Sequence, residues 1–171
     1  MSLSILLLST SQCKKKDLPQ LPPETETGAM TFGCKINGQI FVPQDGRGRS
    51  GLRLEYVNLG IGKAGGWYLN ITSYDYQKKK GIHIETDSLL LKQGDSYQFR
   101  YQKGYTLIWF EQVENSTTQI YAPKGNDSGT LYIKKHDLTN RILSGTFSFT
   151  GTKISTGEKV TVTDGKFDLR Y

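Results

Sequence analysis

Apolar side chains recur at every second position along most of the chain from Thr31 to Tyr171. The alternation is clearest near the two ends of this stretch, over residues 32–36 and 167–171. Successive side chains of a β-strand point to opposite faces, so a period of two predicts strands with one apolar and one polar face. No window of helical length carries the apolar stripe of an amphipathic helix. The pattern predicts about ten short strands and an all-β fold.

Glycine-containing pairs between these runs predict tight turns. Asn37-Gly38 and Asp164-Gly165 tolerate the positive φ angles that a two-residue hairpin needs. Short connections and one polar face per strand favour antiparallel pairing, and the apolar face must then be covered by a second layer. We therefore predict an antiparallel β-sandwich, with a flattened β-barrel as the alternative.

The first residues have a different pattern, in which a short apolar run precedes a cysteine. Residues 3–8 are mostly Leu and Ile, small and polar residues follow, and Cys13 comes next. The run is too short to cross a bilayer as a helix, which takes about 20 residues. This order is typical of a bacterial lipoprotein signal, in which the cysteine thiol is acylated and becomes the new N-terminus. We predict a signal peptide over residues 1–12 and lipid attachment at Cys13; the alternative is an apolar N-terminus with an incidental cysteine.

Residues 13–30 join this signal to the strands. They contain Lys14–Lys16 and three prolines, with polar residues between them. Because prolines interrupt both helices and strands, we predict a flexible tether over residues 13–30 and a single β-domain over residues 31–171. The tether lysines could contact anionic lipid head groups. These features predict attachment to a membrane through the N-terminal lipid, in the bacterial cell envelope at the outer membrane, with the leaflet left open.

Charge and cysteine content narrow the classes of partner and cofactor. The 171 residues carry a formal net charge of +6, all of it within residues 31–171. A basic domain favours anionic partners, but none of the nucleic-acid-binding motifs is present, so we expect no nucleic-acid partner. The two cysteines are too few for a zinc site, which usually needs four ligands, and the two histidines do not make up the difference. We expect no metal and no other cofactor. Cys34 lies on the apolar side of its strand and is expected to be buried.

Two loops carry candidate contacts for an anionic ligand. The glycine-rich loop at residues 45–51 contains Arg47 and Arg49, which could hold a phosphate or a carboxylate beside free backbone N–H groups. The alternative is a pair of solvated loop arginines. Lys78–Lys80 lies near tyrosines and could contact a charged glycan or a membrane, or else form a charged hairpin tip.

Tyrosines are the candidate contacts for a sugar. Tyr68, Tyr121 and Tyr132 fall on the polar side of their predicted strands. Rings in such positions can stack on sugar rings, or they can stabilise the sheet by cross-strand pairing. Trp67 and Trp109 are instead expected to face the core, as large aromatic side chains usually do.

The two ends of the domain resemble a known kind of protein. They contain the stretches FGCKINGQIFVP and SGTLYIKKHDLTNRILSGTFSFTGTKISTGEKVTVTDGKFDLRY. With the Cys-Lys-Lys of the signal, these stretches resemble a family of Bacteroidota lipoproteins of unknown function. The shared elements are Cys34–Gly38, Ser144–Phe149 and Thr163–Asp168, while residues 45–125 match less clearly. The resemblance implies an envelope location and a β-rich domain, and it offers no catalytic residues to transfer.

Three further patterns concern modification and catalysis. Asp87-Ser88-Leu89 fits the three-residue pattern used for O-glycosylation in Bacteroidota, with Ser88 as the acceptor. Gly60–Gly65 fits the dinucleotide-binding fingerprint, but a strand pattern follows it in place of the required helix, so we expect a hairpin loop. His83 and His136 belong to no recognisable catalytic motif and are expected at the surface.

We therefore expect a lipid-anchored cell-envelope protein without catalytic activity. Its role would be binding or structural, carried by loops and by one face of a sheet, with a glycan or an envelope protein as the partner. A carbohydrate-binding lipoprotein is the first alternative. An envelope hydrolase is the second, and it would need a cleft holding two carboxyl groups of perturbed pKa.

Overall fold

The computed structural model describes residues 20–60, 66–100, 104–125 and 129–171. All the regular structure within these ranges is β-strand, as the period of two predicts. The strands are β1 (Thr31–Ile36), β2 (Gln39–Phe41), β3 (Leu52–Asn58), β4 (Trp67–Asp75), β5 (Lys80–Thr86), β6 (Ser96–Gln98), β7 (Thr106–Glu114), β8 (Thr117–Ala122), β9 (Gly129–Asp137), β10 (Ile142–Lys153) and β11 (Lys159–Arg170).

The strands pair antiparallel in the order β2-β1-β11-β10-β8-β7-β5-β4-β3, with β9 on β10 and β6 on β9. Strand β10 pairs with β9 over residues 142–149 but with β8 only at Thr152 and Lys153. It therefore passes from a first layer (β2, β1, β11, β10, β9, β6) into a second layer (β8, β7, β5, β4, β3). The sheet does not close into a barrel, so the predicted antiparallel sandwich is confirmed over the flattened barrel.

The core lies between these two layers. Phe32 and Phe147 of the first layer pack with their rings 5.2 Å apart, and both side chains are buried. Ile71 and Ile84 fill the same core from the second layer with no exposed surface. Cys34 is fully buried among them, as predicted, and burial raises the pKa of its thiol to about 12. The thiol therefore stays protonated and packs as a small apolar group.

Two predicted turns have different outcomes. Asn37-Gly38 joins β1 to β2 with φ angles of 47° and 79°, as the hairpin prediction requires. Asp164-Gly165, predicted to turn the chain, instead lies inside the continuous strand β11. There Thr163 and Asp164 stand opposite the single residue Ser148 of β10. The pair therefore forms a β-bulge, in which the φ of 52° at Asp164 takes up an extra residue without ending the strand.

An N-terminal strap, residues 24–29, is tied to the buried carboxylate of Asp168 in β11. Five hydrogen bonds reach this carboxylate, from the Thr25 hydroxyl (2.6 Å), the Thr27 backbone N–H (2.9 Å) and hydroxyl (3.3 Å), and the Gly28 (2.7 Å) and Ala29 (3.2 Å) N–H groups. Burial by itself would raise the pKa of Asp168, but these hydrogen bonds outweigh it, and the pKa is lowered.

The strap also carries ion pairs. The Lys134 Nζ lies 2.6 Å from a Glu24 carboxylate oxygen and 3.3 Å from one of Glu26. The flexible tether was predicted to extend to residue 30, and the structure differs here because residues 24–29 are bonded to β9 and β11. Residues 13–19 lie outside the described part of the chain.

Candidate functional site

A row of polar side chains crosses the outer face of the second layer. Arg53, Thr72, His83 and Trp109 are successive cross-strand partners on β3, β4, β5 and β7. Their strand neighbours, such as Ile71, point into the core, so this row faces outward. Trp109 was predicted to face the core; that prediction is wrong, and its ring instead stacks on His83 with the centroids 4.7 Å apart and the planes 5° from parallel.

A hollow of about 400 Å³ lies beside this row. Gly81 has no side chain, so the ring of Tyr74, a lining residue, lies across its backbone; a Cβ at Gly81 would be 2.5 Å from the Tyr74 ring. We call this depression the basic hollow. Its lining residues are Arg49, Arg53, Thr72, Tyr74, Tyr76, Lys79, His83 and Glu111.

The turn that precedes β3 positions Arg49 at the rim. Gly46 and Arg49 exchange two backbone hydrogen bonds, of 2.9 and 3.3 Å. Gly46 packs so closely on Tyr76 that a Cβ there would lie 2.8 Å from the ring. Arg47 occupies the exposed tip of the same turn and does not line the hollow. Of the two arginines that the sequence predicted as ligand contacts, Arg49 lines the hollow and Arg47 does not.

The hairpin tip between β4 and β5 positions Lys79. Asp75 is buried, and one of its carboxylate oxygens accepts hydrogen bonds from the Gln77 and Lys78 backbone N–H groups, each 3.0 Å long. The φ of 51° at Lys79 then closes the turn. The predicted lysine-bearing tip is confirmed, and Lys79 is the member of that run that lines the hollow.

The charge of the basic hollow is unbalanced. Arg49, Arg53 and Lys79 form no ion pair with any residue that the structure describes. The lining carboxylate, Glu111, lies 3.3 Å from the Nε2 of His83. Three cations thus surround one carboxylate, which makes the depression a favourable place for an anion.

Two tyrosine rings form the aromatic wall of the hollow. The Tyr74 and Tyr76 rings lie 4.8 Å apart at 56°. Burial raises the pKa of Tyr74, and the negative charge of Glu111 adds to this effect. The Tyr74 hydroxyl therefore stays protonated at neutral pH and can donate a hydrogen bond.

The three tyrosines predicted to form a sugar platform do not share a surface. Tyr121 is fully buried and its hydroxyl donates to Glu158 over 3.1 Å, so it cannot contact a ligand. Tyr132 is 40% exposed, but it lies on β9 in the first layer. Tyr68 is half-buried on β4, with its hydroxyl 3.0 Å from that of Ser88.

The remaining predicted positions lie away from the hollow. Ser88 is half-buried, and its hydroxyl donates to Asp87 over 2.8 Å. His136 was expected at the surface; it is instead half-buried, with Nδ1 donating to the Leu91 carbonyl oxygen over 2.8 Å. Residues 61–65 of the glycine-rich fingerprint and Cys13 lie outside the described residues. The strands that flank the fingerprint are antiparallel neighbours, which fits a hairpin.

Several lining residues carried no signal in the sequence. Arg53, Thr72 and Glu111 look like ordinary outward-facing strand residues, whereas Tyr74 and Tyr76 were noted only as tyrosines near Lys78–Lys80. The alternation does assign Arg53 to the polar face of β3. Which residues of β4, β5 and β7 stand beside it depends on the register between strands, which the alternation of one strand does not contain.

Four carboxyl groups of the described chain have pKa values shifted away from that of a general acid. Glu24, Asp137, Asp164 and Asp168 have lowered pKa values, chiefly because hydrogen bonds from lysine, amide or hydroxyl donors stabilise their charged forms. A general acid at neutral pH needs the opposite shift. Among the described residues, no group of three or more His, Cys, Asp or Glu side chains could hold a metal. In the same ranges no helix is long and apolar enough to cross a membrane.

Comparisons of the chain with protein-family models, with curated proteins and with solved structures give no match. The site is therefore interpreted from its own residues.

Proposed function

We propose that this protein is a lipid-anchored, non-catalytic module of the bacterial cell envelope that binds acidic saccharides in the basic hollow. One observation carries the proposal. Arg49, Arg53 and Lys79 come from a loop, a strand and a hairpin tip, and they converge on one depression without a partner among the described residues.

The lining chemistry fits a saccharide that bears a carboxylate. A guanidinium offers two parallel N–H donors that match the two oxygens of a carboxylate, and a lysine adds a point charge. Thr72, Glu111 and the Tyr74 hydroxyl can pair with sugar hydroxyls. The Tyr74 and Tyr76 rings offer apolar faces to the CH groups of a sugar ring. A hollow of about 400 Å³ has room for one or two such rings.

A membrane surface fits the hollow less well than a saccharide does. None of the most exposed large apolar side chains of the described chain lines the hollow; Ile120, the cross-strand partner of Glu111, lies beside it. Glu111 would also face the anionic head groups. A depression with mixed polar groups is better matched to a discrete ligand.

The envelope location rests on the N-terminus. The apolar run before Cys13 and the proline-containing segment after it are typical of a lipoprotein that holds its domain near a membrane. The basic charge of residues 31–171 suits the acidic polysaccharides of cell surfaces.

The experiment compares two arginines that differ mainly in position. Polygalacturonate is the acidic probe and dextran is the neutral one, with binding measured by affinity electrophoresis and calorimetry at fixed salt. We expect Arg53→Ala to weaken polygalacturonate binding about tenfold, because a charge-assisted pair contributes roughly 1.5 kcal/mol. Arg47→Ala removes the same charge from outside the hollow and should change binding less than twofold.

Three results would contradict the proposal. Equal losses in the two variants would mean that general charge, and not the hollow, holds the polymer. Equal retardation by dextran would exclude recognition of the carboxylate. Tighter binding to phosphatidylglycerol vesicles than to polygalacturonate, lost in Arg53→Ala, would make a membrane the ligand.

A further inference from the structure

Strand β3 is the last strand of the second layer, and no described strand pairs with its outer edge, which we call the free edge. The Tyr74 N–H donates to the Gly51 carbonyl and the Leu59 N–H donates to the Gly66 carbonyl, so odd-numbered residues along β3 bond to β4. Backbone groups of antiparallel strands alternate between the two sides. The N–H and C=O groups of Leu54, Tyr56 and Asn58 therefore point away from β4, toward the free edge.

This free edge forms one wall of a groove of about 670 Å³. We call it the β3 groove. Residues 54–58 and Trp67 line one side, and Leu138, Arg141 and Tyr171 line the other. The groove thus runs between the edge of one layer and the β9–β10 turn of the other.

The floor of the groove is a fixed aromatic cluster centred on Tyr56. The Tyr56 ring stacks on Trp67 with the centroids 4.8 Å apart and meets the Tyr171 ring at 67°. The Tyr56 hydroxyl accepts a hydrogen bond of 3.2 Å from the Leu91 N–H. This floor is anchored by packing and by hydrogen bonds, so the groove exists before any ligand arrives.

Within the described residues, a hydrogen-bonded cap protects the start of this edge. The Ser50 hydroxyl donates to the Leu52 carbonyl over 2.8 Å and accepts from the Leu52 N–H over 3.3 Å, so that residue is capped. Natural sheets block their edges with Pro, charged side chains, bulges or a covering segment; residues 54–58 contain no Pro or Lys, and Glu55 is their one charged residue. Val57 and Leu138 beside the groove are 44% and 53% exposed. An open edge with an apolar rim is suited to pairing.

We propose that the β3 groove binds an extended peptide segment of a partner protein, which adds a strand to β3. The peptide would exchange backbone hydrogen bonds with Leu54, Tyr56 and Asn58. Every second residue of the peptide would be apolar, and its side chain would enter the groove beside Trp67.

The positive charge of Arg141 favours a partner segment with an acidic residue. It is exposed, and it forms no ion pair with any described residue. Its backbone carbonyl is held by the Tyr171 N–H over 3.0 Å, which fixes it at the wall of the groove. Glu55, the lining carboxylate, stands on the β3 wall, so an acidic residue of the partner segment would face Arg141 on the other wall.

A sugar is a poor match for this groove. Besides the Glu55 and Asn58 side chains, β3 presents backbone donors and acceptors of alternate residues, spaced about 7 Å apart as in a strand. A peptide repeats with the same spacing, whereas a sugar ring does not. The peptide site is also separate from the basic hollow, so neither proposal depends on the other.

The test begins with a displayed library of random seven-residue peptides, the length of β3, selected against the full chain. Enriched peptides are then synthesised and their affinities measured by fluorescence anisotropy. We expect alternating apolar positions with a neighbouring acidic residue. N-methylation at every second peptide position should abolish binding, because it removes the N–H groups that pair with β3.

Two variants locate the site. Arg141→Glu should weaken peptide binding about tenfold or more, and Arg47→Glu, with the same charge change at a distant turn, should not. Asn58→Pro should abolish binding while keeping the β4 ladder, because its N–H points to the free edge. Arg53→Ala should keep peptide affinity even where it loses polygalacturonate.

Three results would overturn the inference. One is a library that gives no peptide dependent on Arg141. Another is an N-methyl scan without positional effect, since backbone pairing would then be absent. The last is a concentration-dependent dimer in which the Leu54 and Tyr56 amides are protected from hydrogen exchange without peptide, since a second copy would then occupy the groove.

Discussion

At the scale of single residues, Asp168 is the clearest case of a side chain whose role comes from its neighbours. In the sequence it ends the stretch Thr163–Asp168. In the structure its carboxylate receives five hydrogen bonds from the N-terminal strap. A buried carboxylate with this many donors is stabilised in its charged form. Asp168 therefore has a structural role, which is to hold residues 24–29 against the domain.

We expect Asp168→Asn to lower the free energy of unfolding by about 2 kcal/mol, because buried backbone donors lose their acceptor. Asp164→Asn is the matched control. Its partner Lys35 lies 2.9 Å away, but both side chains are largely exposed, so the loss should stay below about 1 kcal/mol. Urea unfolding at neutral pH measures both variants. Equal losses would mean that the strap contributes little.

The pH dependence of Asp168 has a definite sign. Its pKa in the folded protein lies below the ordinary value of 3.8, so the unfolded chain binds the proton more readily. The contribution of the Asp168 carboxylate to stability is complete above about pH 5. It is lost as the pH falls below 3.8 and through the lowered pKa of the folded protein. Between pH 5 and pH 3 the wild-type melting temperature should therefore fall more steeply than that of Asp168→Asn. Parallel curves would contradict this assignment.

At the scale of elements, β10 and β11 organise the molecule. Each has twelve residues, and they pair along almost their whole length. The bulge at Thr163 and Asp164 interrupts this pairing and increases the local twist. Gly165 follows it, with its Cα close against the Phe147 carbonyl and ring; a Cβ there would be 2.4 and 2.6 Å from them. The glycine is required by this close approach, although the sequence suggested a turn.

We expect Gly165→Ala to destabilise the protein by about 1–3 kcal/mol, because the added methyl group would force apart two strands that meet at Phe147. Lys166→Ala, the next residue of the same strand, is the control and should change stability by less than about 0.5 kcal/mol. Thermal unfolding of the two variants tests the expectation. A stable Gly165→Ala variant would mean that the bulge can shift to make room.

At the scale of the whole molecule, the strap sets how far the domain can move from its anchor. Under the lipoprotein proposal the acylated residue is Cys13, and the first strap residue bonded to Asp168 is Thr25. Twelve residues span at most about 40 Å, so the β-domain stays close to the membrane. The basic hollow and the β3 groove would then meet envelope polysaccharide and envelope protein segments near that surface.

The anchor itself is tested by the intact mass of the protein extracted from its native membranes. We expect a chain that begins at Cys13 and carries added acyl mass, because only a thiol at this position can accept diacylglycerol. Cys13→Ala should retain residues 1–12 and no added mass. An unacylated wild-type chain that keeps residues 1–12 would contradict the lipoprotein proposal, while both binding sites would remain to be tested on the β-domain.

The sequence by itself determined the features that depend on neighbouring residues. The period of two predicted the strands and their antiparallel pairing, Asn37-Gly38 predicted its hairpin, and the apolar phase of β1 predicted the burial of Cys34. These properties follow from backbone geometry and side-chain alternation within a few residues, so they can be read without knowing the fold.

The tertiary structure alone decided which residues of different strands meet, and it decided the buried face of β7 and β8. In β8 the sequence placed Tyr121 outside, but Ile120 is 50% exposed and Tyr121 is buried. Trp109 differs from its prediction in the opposite sense: it was predicted to face the core, and it lies on the outer face of the second layer. A shift of one residue exchanges the two faces of a strand, and only partner strands fix that choice. The basic hollow has the same origin, because Arg49, Arg53 and Lys79 come together only through the register of β3, β4 and β5.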